Sequence, residues 1–301
     1  MAELTGIDYF FNTHQRVFWL YLLSSFAVAM GYGMYRREQI GAYFSKAIWW
    51  HPSARTDYGY FVVISLIKVL VIVPLLLSSK EVALFVALQL QDVFGHRAPL
   101  ALGRETIMAL FTFTLFVVSD FTRYWLHRLM HTVPLLWRFH RVHHSAEALN
   151  PLTFYRVHPV ENVLFGLRYA LGAGAVTGVF IYLFGARIGL VEIIGVNAFV
   201  FIFALAGSNL RHSHLPLRFG GRVERWVVSP YMHQLHHTPQ GMRSNYGGAL
   251  AVWDRLFGSL RVERVRPLAF GLGREALHDT VLALLIEPFT FKNPIRKGKT
   301  L

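Results

Sequence analysis

Long apolar stretches separated by short polar segments run through most of this chain. Five of them approach the roughly 20 apolar residues that a helix needs to cross about 30 Å of hydrocarbon: residues 17–35, 59–77, 106–126, 163–185 and 187–207. A further stretch, 82–90, is too short to cross and is interpreted as a re-entrant or packing helix. Because an open sheet would leave backbone groups unpaired in lipid, the pattern predicts an all-α integral membrane protein with about four to five transmembrane helices.

Composition supports this fold class. Of the 301 residues, 54% are hydrophobic and only 16% are charged, whereas soluble domains have about a quarter charged residues. The N-terminus lacks a basic region followed by a small-residue cleavage site, so we expect no removable signal peptide. Cysteine is absent, which excludes disulfides and thiolate metal ligands.

The net charge of +13 raises the question of nucleic-acid binding, but the basic residues cluster beside the predicted spans. They are Arg36, Arg37, Arg123, Arg128, Arg138, Arg141, Arg156, Arg211, Arg218, Arg222 and Arg225. Attraction to anionic headgroups is the simplest role for such residues. The positive-inside rule and the span count together predict that residues 127–158 and 212–237 lie on the cytoplasmic side of a bacterial inner membrane or an endoplasmic reticulum membrane.

Histidines are concentrated in the same two regions. Eleven of the 15 fall between residues 127 and 237, and most of them lie in three motifs. The motifs are "HRLMH" (His127, His131), "HRVHH" (His140, His143, His144) and "HQLHH" (His233, His236, His237). The isolated His14, His51, His96 and His278 are interpreted as ordinary polar residues.

Spacings of three and four residues place the histidines of each motif on one helical face. Neutral imidazoles that converge on one point present several nitrogen lone pairs, and imidazole suits iron, zinc, copper or nickel. A single zinc takes three or four protein ligands, so eight or more histidines indicate two metal ions. The clustered histidines lack the Glu-x-x-His pairing of soluble di-iron bundles, which indicates a water or hydroxide bridge.

These motifs resemble the three histidine boxes of the fatty acid hydroxylase/sterol desaturase superfamily of integral-membrane di-iron oxygenases. The segments "DFTRYWLHRLMH", "RVHPVEN", "NLRHSHLPL" and "NYGGALAVWDRLFGSL" also resemble family segments. The resemblance runs from about residue 106 to 272. It implies N-terminal membrane helices and a linker in 1–105, a catalytic domain in 106–272 and a C-terminal tail in 273–301.

The resemblance further implies a helical core topped by a cytoplasmic cap that holds two iron ions. The implied ligands are His127, His131, His140, His143, His144, His212, His233, His236 and His237. His158 and His214 are candidates for additional ligation or for contacts to a ligand, with purely structural roles as the alternative. Asp120 is expected to accept a hydrogen bond from a ligating imidazole; its alternative is a polar contact to Arg123 or Tyr124.

The implied reaction uses O2 at reduced iron to hydroxylate or desaturate a C–H bond of a fatty acyl lipid, a sterol or a related lipid. Electrons would come from a separate ferredoxin- or cytochrome b5-like donor and its reductase, because the chain has no dinucleotide-binding fingerprint. Arg138, Arg141, Arg222 and Arg225 are a predicted docking surface for an acidic donor. Small residues in 166–178 could line a channel for the lipid, although close helix packing is the more common use of such residues.

Two other classes of function are compatible with the histidines. A metal transporter or sensor would distribute them along the spans as a pathway, whereas here they gather at the ends of spans. An inactive lipid-binding homologue is the other alternative. The completeness of all three histidine motifs argues against it.

Overall fold

The computed structural model of the chain describes residues 6–36, 40–264, 268–273, 277 and 279–290. Arg37, His278 and the end of the predicted tail lie outside the described residues. The described part is almost entirely helical, with one two-stranded hairpin. The predicted all-α membrane class is confirmed.

The helices up to the histidine region are α1 (Trp19–Arg36), α2 (Lys46–Trp49), α3 (Pro52–Ile67), α4 (Val73–Leu75), α5 (Ser79–Phe94), α6 (Arg104–Thr132) and α7 (Pro134–His144). They are followed by α8 (Pro159–Phe184), β1 (Glu192–Ile193), β2 (Val196–Asn197), α9 (Ala198–Leu205), α10 (Pro230–His236), α11 (Val252–Leu256) and α12 (Val281–Thr290). A π-helical turn, Lys68–Ile72, joins α3 to α4, and 3₁₀ turns at Ile7–Phe10, Ile40–Phe44, Pro151–Tyr155, Gly185–Arg187, Ser208–His212 and Val223–Arg225 complete the described elements.

Three stretches of the described residues are long and apolar enough to cross a membrane: Pro52–Phe94, Arg104–Thr132 and Pro159–Phe184. The first is interrupted at residues 76–78, where Leu76 is extended and a capping box of Ser78 and Glu81 starts α5. No more than a third of the most apolar window of each stretch is buried within the protein. The remaining apolar side chains are therefore available to lipid.

The predicted spans 59–77, 106–126 and 163–185 fall in these three stretches. The predicted span 17–35 overlaps α1, which is not among the stretches that are long and apolar enough to cross. The short stretch 82–90 lies in α5, and α5 makes the most extensive helix–helix contact of the described elements, against α8. This contact fits its interpretation as a packing helix.

The prediction of a fifth spanning helix at 187–207 is wrong. This segment forms the β1–β2 hairpin and the eight-residue helix α9. It nevertheless carries the chain back along α6: Arg187 donates to the carbonyl of Leu100 near the start of α6, and the Val191 amide donates to Thr112 Oγ1. The next 3₁₀ turn, Ser208–His212, reaches the histidine region at the other end.

Glycines explain how closely α8 packs on α5. A Cβ at Gly174 would lie 2.5 Å from Val82 Cβ, and one at Gly178 would lie 2.6 Å from the backbone oxygen of Ala83. Gly166 makes a similar approach to Leu76. The packing interpretation of the small residues in 166–178 is therefore confirmed over the channel interpretation.

A buried ion pair holds the N-terminal helices against the histidine end of the molecule. Asp57 on α3 accepts from Arg156 Nε at 2.5 Å and from the side chains of Asn150 and Thr153. Arg156 also donates to the Ser53 carbonyl. Removing one partner of such a buried pair leaves an uncompensated charge, so this network fixes the segment that follows α7 on α3.

Candidate metal centre

Nine histidines converge at the end of the molecule where α6 finishes and α8 begins. They form two groups within which the candidate ligand nitrogens all lie within 4.8 Å of one another. We call these group one (His127, His131, His140, His144 and His236) and group two (His143, His212, His233 and His237). The nine are the same histidines that the resemblance implies as ligands.

Three short helical segments build this convergence around the end of α6. His127 and His131 lie on the last turns of α6, and α7 starts at Pro134 directly after a break at Val133. Proline fits the first helical turn because an amide at that position has no acceptor within the helix, so its absence costs no hydrogen bond. Ser229 caps α10 by accepting from the Met232 amide, which fixes the start of the helix that carries the third motif.

In group one, the hydrogen-bond partners determine which ring nitrogen carries the proton. His127 Nδ1 lies 2.8 Å from the Tyr246 carbonyl, and His236 Nδ1 lies 2.6 Å from the Ser244 carbonyl. A carbonyl oxygen only accepts, so both Nδ1 atoms carry hydrogen and both Nε2 atoms present lone pairs. These two Nε2 atoms lie 3.1 Å apart. Two lone pairs that face each other at this distance repel, so the pair fits a bound cation beside it.

Group one also contains buried ring nitrogens that have no partner among the described residues. They are Nε2 of His131, Nε2 of His140 and both ring nitrogens of His144. Buried polar atoms are rarely left without a partner, and a bound ion is one of the standard reasons for an exception. The residues of group one therefore fit a bound metal ion.

Group two brings four Nε2 atoms together in a chain of short contacts. His143 and His212 are separated by 3.3 Å, His212 and His233 by 3.1 Å, and His233 and His237 by 3.2 Å. The Nδ1 atoms of His233 and His237 are buried without a partner among the described residues. A second metal ion fits at the point where these Nε2 atoms meet.

Burial keeps these imidazoles neutral. Burial, together with a smaller effect of the neighbouring His140, lowers the pKa of His143 and of His236 to about 3. Burial together with neighbouring imidazoles also lowers the pKa of His144, His233 and His237 well below the usual value. Neutral imidazole is the form that binds a metal.

Glu161 is a site residue that the sequence analysis did not single out. It lies near the start of α8, is 2% exposed, and accepts from His140 Nδ1 at 2.8 Å. A carboxylate that holds the far nitrogen of a ligating histidine fixes the ring and raises its basicity. The sequence "HPVEN" could have indicated this residue, because His158 caps α8 and Glu161 lies on the first turn of that helix.

Asp120 is placed differently from the expectation. Its two carboxylate oxygens accept from the amides of Ala249 and Leu250 and from Trp253 Nε1, and no bond to an imidazole is found for it among the described residues. Asp254 accepts from the amides of Tyr246 and Gly247 in the same way. The two carboxylates thus fix the loop 244–254, which we call the closing loop. Its carbonyls hold His127 and His236.

His158 and His214 lie outside both groups. His158 Nδ1 accepts from the Val160 amide as the N-cap of α8, and its Nε2 lies 3.1 Å from the Leu285 carbonyl. His214 Nε2 accepts from the Leu149 amide, and the ring lines a separate apolar cavity of about 350 Å³. The structure therefore gives both residues backbone contacts, as in the structural alternative.

A cavity of about 190 Å³ opens beside the two groups. Histidines of both groups line it: His127, His140, His143, His212 and His233. Its other walls combine apolar side chains, such as Ile64, Phe154 and Phe165, with Arg16, Lys68, Arg123 and Arg211. A molecule in this cavity would lie against both candidate metal positions.

The predicted arginine surface is only partly exposed. Arg222 and Arg225 are exposed and Arg138 is half-buried, but Arg141 is 1% exposed and cannot belong to a docking surface. Arg156 and Arg211 are also buried, so attraction to headgroups at the membrane surface is the wrong explanation for these three residues.

Comparison with known proteins finds a lipid-hydroxylase family and several hydroxylases and monooxygenases that are similar to this chain. The fatty acid hydroxylase family model matches residues 112–259. An ornithine lipid hydroxylase, OlsE, of Rhizobium tropici is 31% identical over 188 residues, which cover 61% of this chain and 50% of that protein. An alkylglycerol monooxygenase of Xenopus tropicalis is 30% identical over 160 residues, or 52% of this chain and 32% of that protein.

Methylsterol monooxygenase 2-1 of Arabidopsis thaliana is 31% identical over 149 residues, which cover 48% of this chain and 53% of that protein. The matches thus span between about a third and a half of the length of these relatives. No solved structure matches the chain.

Proposed function

This chain belongs to the fatty acid hydroxylase/sterol desaturase superfamily, and on that premise we propose that it is a membrane-bound di-iron oxygenase acting on a lipid. The reaction would consume a C–H bond, O2, two electrons and two protons, and would yield the hydroxylated lipid and water. Desaturation would instead remove two hydrogens from adjacent carbons, with both oxygen atoms leaving as water.

The observation that carries the proposal is the pair of histidine groups, above all the facing Nε2 lone pairs of His127 and His236 at 3.1 Å. Imidazole donors alone suit several metals. Iron is proposed because the named relatives are hydroxylases and monooxygenases, and because oxidation of a C–H bond at a site built from imidazoles needs a redox-active metal. Bound iron would supply activation of O2, which no side chain provides.

The protein's own residues would bind the substrate and keep water away. The cavity touches histidines of both groups, so a C–H bond placed there faces both metal positions. Tyr246 of the closing loop is 3% exposed and packs against the rings of His127 and His131. The closing loop thereby covers part of group one and would limit access of water.

The remaining parts of the proposal concern orientation and the electron donor. The two groups lie at one end of the spanning helices, which we propose to be the cytoplasmic end on the basis of the arginine distribution. The electrons would come from a separate protein. Exposed Arg222 and Arg225, with half-buried Arg138, are the proposed contact for an acidic donor.

The experiment is a metal count followed by an O2-uptake assay. Protein purified anaerobically and reconstituted with Fe²⁺ is expected to hold about two irons per chain. It should consume O2 only with a reductant, and faster when a lipid substrate is added. The variants His143→Ala and His236→Ala remove one ligand from group two and group one respectively, so each is expected to lose iron and lipid-dependent uptake.

His214→Ala is the matched control, because it removes a half-buried histidine that is two residues from His212 in sequence but lies outside both groups. It is expected to keep both irons. Unchanged iron content in His143→Ala or His236→Ala would remove that residue from the ligand set. Tightly bound zinc with no reductant-dependent O2 uptake would contradict the oxygenase itself.

A further inference from the structure

The cavity beside the histidine groups carries an excess of positive charge that metal ligation does not use. Arg16, Arg123 and Arg211 line it together with Lys68. We call the three arginines the arginine cluster. They come from three separate parts of the chain, so their convergence is a property of the fold and not of a basic sequence run.

Arg211 is the most constrained member. It is 4% exposed, and its Nε and Nη2 atoms are buried with no hydrogen-bond partner among the described residues. Its guanidinium carbon lies 4.5 Å from the centre of the Phe203 ring. A buried guanidinium with two unsatisfied nitrogens is costly unless an anion completes it.

For the other two arginines, too, no ion pair with a carboxylate is found within the described part of the chain. Arg16 donates to Ser208 Oγ at 3.2 Å and lies over the Phe154 ring, and Arg123 lies over the Phe165 ring. All three guanidinium groups are close enough to repel one another. An anion between them would relieve that repulsion.

Glu161 lines the cavity and Asp120 lies outside its lining; both carboxylates already accept hydrogen bonds, although Glu161 Oε2 has no partner among the described residues. Glu161 accepts from His140, and Asp120 accepts from two amides and Trp253 of the closing-loop region. Four cationic side chains therefore face two carboxylates that are already hydrogen-bonded. The charge that is missing is that of a carboxylate or a phosphate.

We propose that this cavity binds the acidic group of the lipid substrate, a carboxylate or a phosphate, through Arg211, Arg16 and Arg123. The inference rests on the proposed function and names its substrate class: a lipid whose oxidised carbon lies near an acidic group. The apolar side chains of Ile64, Phe154 and Phe165 in the same cavity contact the adjoining hydrocarbon. The arginine cluster positions the substrate, and the C–H bond then lies against the histidines.

The test measures binding alone, so that it stands apart from O2 uptake. Calorimetric titration of the full iron-loaded chain, anaerobic and without reductant in a nonionic detergent, compares dodecyl phosphate, dodecanoate, dodecanol and inorganic phosphate. The two acidic amphiphiles are expected to bind about ten- to hundredfold more tightly than dodecanol, the range of a charge-assisted hydrogen bond. Inorganic phosphate is expected to bind more weakly than dodecyl phosphate.

Arg211→Gln should reduce binding of the acidic amphiphiles to the level of dodecanol and leave dodecanol binding unchanged. Arg16→Gln, on a different segment, should show the same selective loss and serves if the first variant fails to fold. The control Arg222→Gln/Arg225→Gln removes two exposed positive charges and should leave the binding of all four ligands unchanged. Iron content and thermal midpoint of each variant verify its fold.

Equal binding of dodecanol and dodecyl phosphate by the unaltered chain would overturn the proposal. So would an equal loss in the exposed double variant, which would indicate general surface attraction. Inorganic phosphate binding as tightly as dodecyl phosphate would assign the site to a free anion instead of a lipid. Absence of O2 uptake together with selective binding would contradict only the oxygenase.

Discussion

Three candidate ligand rings are oriented through their Nδ1 hydrogens. His127 and His236 donate to the backbone carbonyls of Tyr246 and Ser244, and His140 is held by Glu161. Each acceptor fixes the tautomer and points the Nε2 lone pair into group one. Only the acceptor of His140 is a side chain, so it alone can be removed by substitution without disturbing the closing loop.

Glu161→Ala is therefore expected to weaken iron binding in group one by about 10- to 100-fold, the usual effect of removing a partner of a ligating histidine. The measurement is iron retained per chain against increasing concentrations of a soluble chelator. The loss should be confined to one of the two ions, because Glu161 holds a ligand of group one only.

Glu161→Gln is the matched variant, because its amide oxygen can still accept from His140. It is expected to lose less iron than Glu161→Ala at every chelator concentration. Equal retention by Glu161→Ala and the unaltered chain would show that His140 needs no acceptor for ligation.

The residues of the site were predictable to different degrees. Spacings of three and four placed each histidine motif on one face, and those faces do converge. The partners that orient the rings of His127 and His236 were not predictable, because every residue has a backbone carbonyl and the residue type therefore does not indicate which one accepts. Asp120 shows the same difficulty: its helix position relative to His127 suggested a direct bond, whereas it acts on the loop 130 residues away in sequence.

At the scale of elements, the close contact of α5 and α8 stabilises the helix that begins at the histidine site. α8 starts beside the site at Pro159, and its glycines allow α5 to lie against it along much of its length. In lipid, such contacts rely on van der Waals packing because the hydrophobic effect does not favour helix association there. Small changes at the glycines should therefore have measurable effects on stability.

Gly178→Ala would place a Cβ 2.6 Å from the Ala83 carbonyl oxygen, a backbone atom that cannot move without shifting α5. We expect the free energy of unfolding to fall by about 1–3 kcal/mol, which is typical of overpacking. The measurement is the thermal midpoint of the detergent-solubilised protein, followed by tryptophan fluorescence. Gly172→Ala is the control, since its new Cβ would meet Thr122 at 3.6 Å, an ordinary contact. A midpoint for Gly178→Ala at or above that of the control would contradict the packing argument.

The failure of the 187–207 prediction has a local cause. Ile194 and Gly195 both have positive φ angles, of 48° and 80°, and form the two-residue turn between β1 and β2. Turns of this hand suit short hairpins. The apolar character of the segment concealed the turn, because isoleucine at such a position is uncommon. Long uninterrupted stretches such as 163–185 were predicted within a few residues of α8.

At the scale of the whole molecule, both histidine groups lie at one end of the spanning helices. α8 runs from the site to Phe184, beside which Tyr182 donates to the carbonyl of Gly95. Residues 95–102 therefore mark the opposite end. The chain contains no cysteine, so single introduced thiols can report which end faces the cytoplasm.

Gln240→Cys, exposed beside the third histidine motif, and His96→Cys, exposed at the far end, are expected to react from opposite sides of the membrane. With a membrane-impermeant maleimide, intact cells or sealed right-side-out vesicles should label only His96→Cys. Inverted vesicles should label only Gln240→Cys. The reverse pattern would place the histidine groups outside the cytoplasm, and labelling of both positions in one preparation would show that they share a side.

The two histidine groups draw on very different lengths of chain. Four of the five members of group one lie within residues 127–144, whereas group two joins His143 to residues from 212 to 237. Gathering distant segments costs more loop-closure entropy than gathering neighbouring ones. Under the proposed function we therefore expect iron uptake to be ordered: a nascent polypeptide that has emerged only as far as α7 would already possess four of the five candidate ligands of group one, and a half-metallated molecule would keep its single ion there.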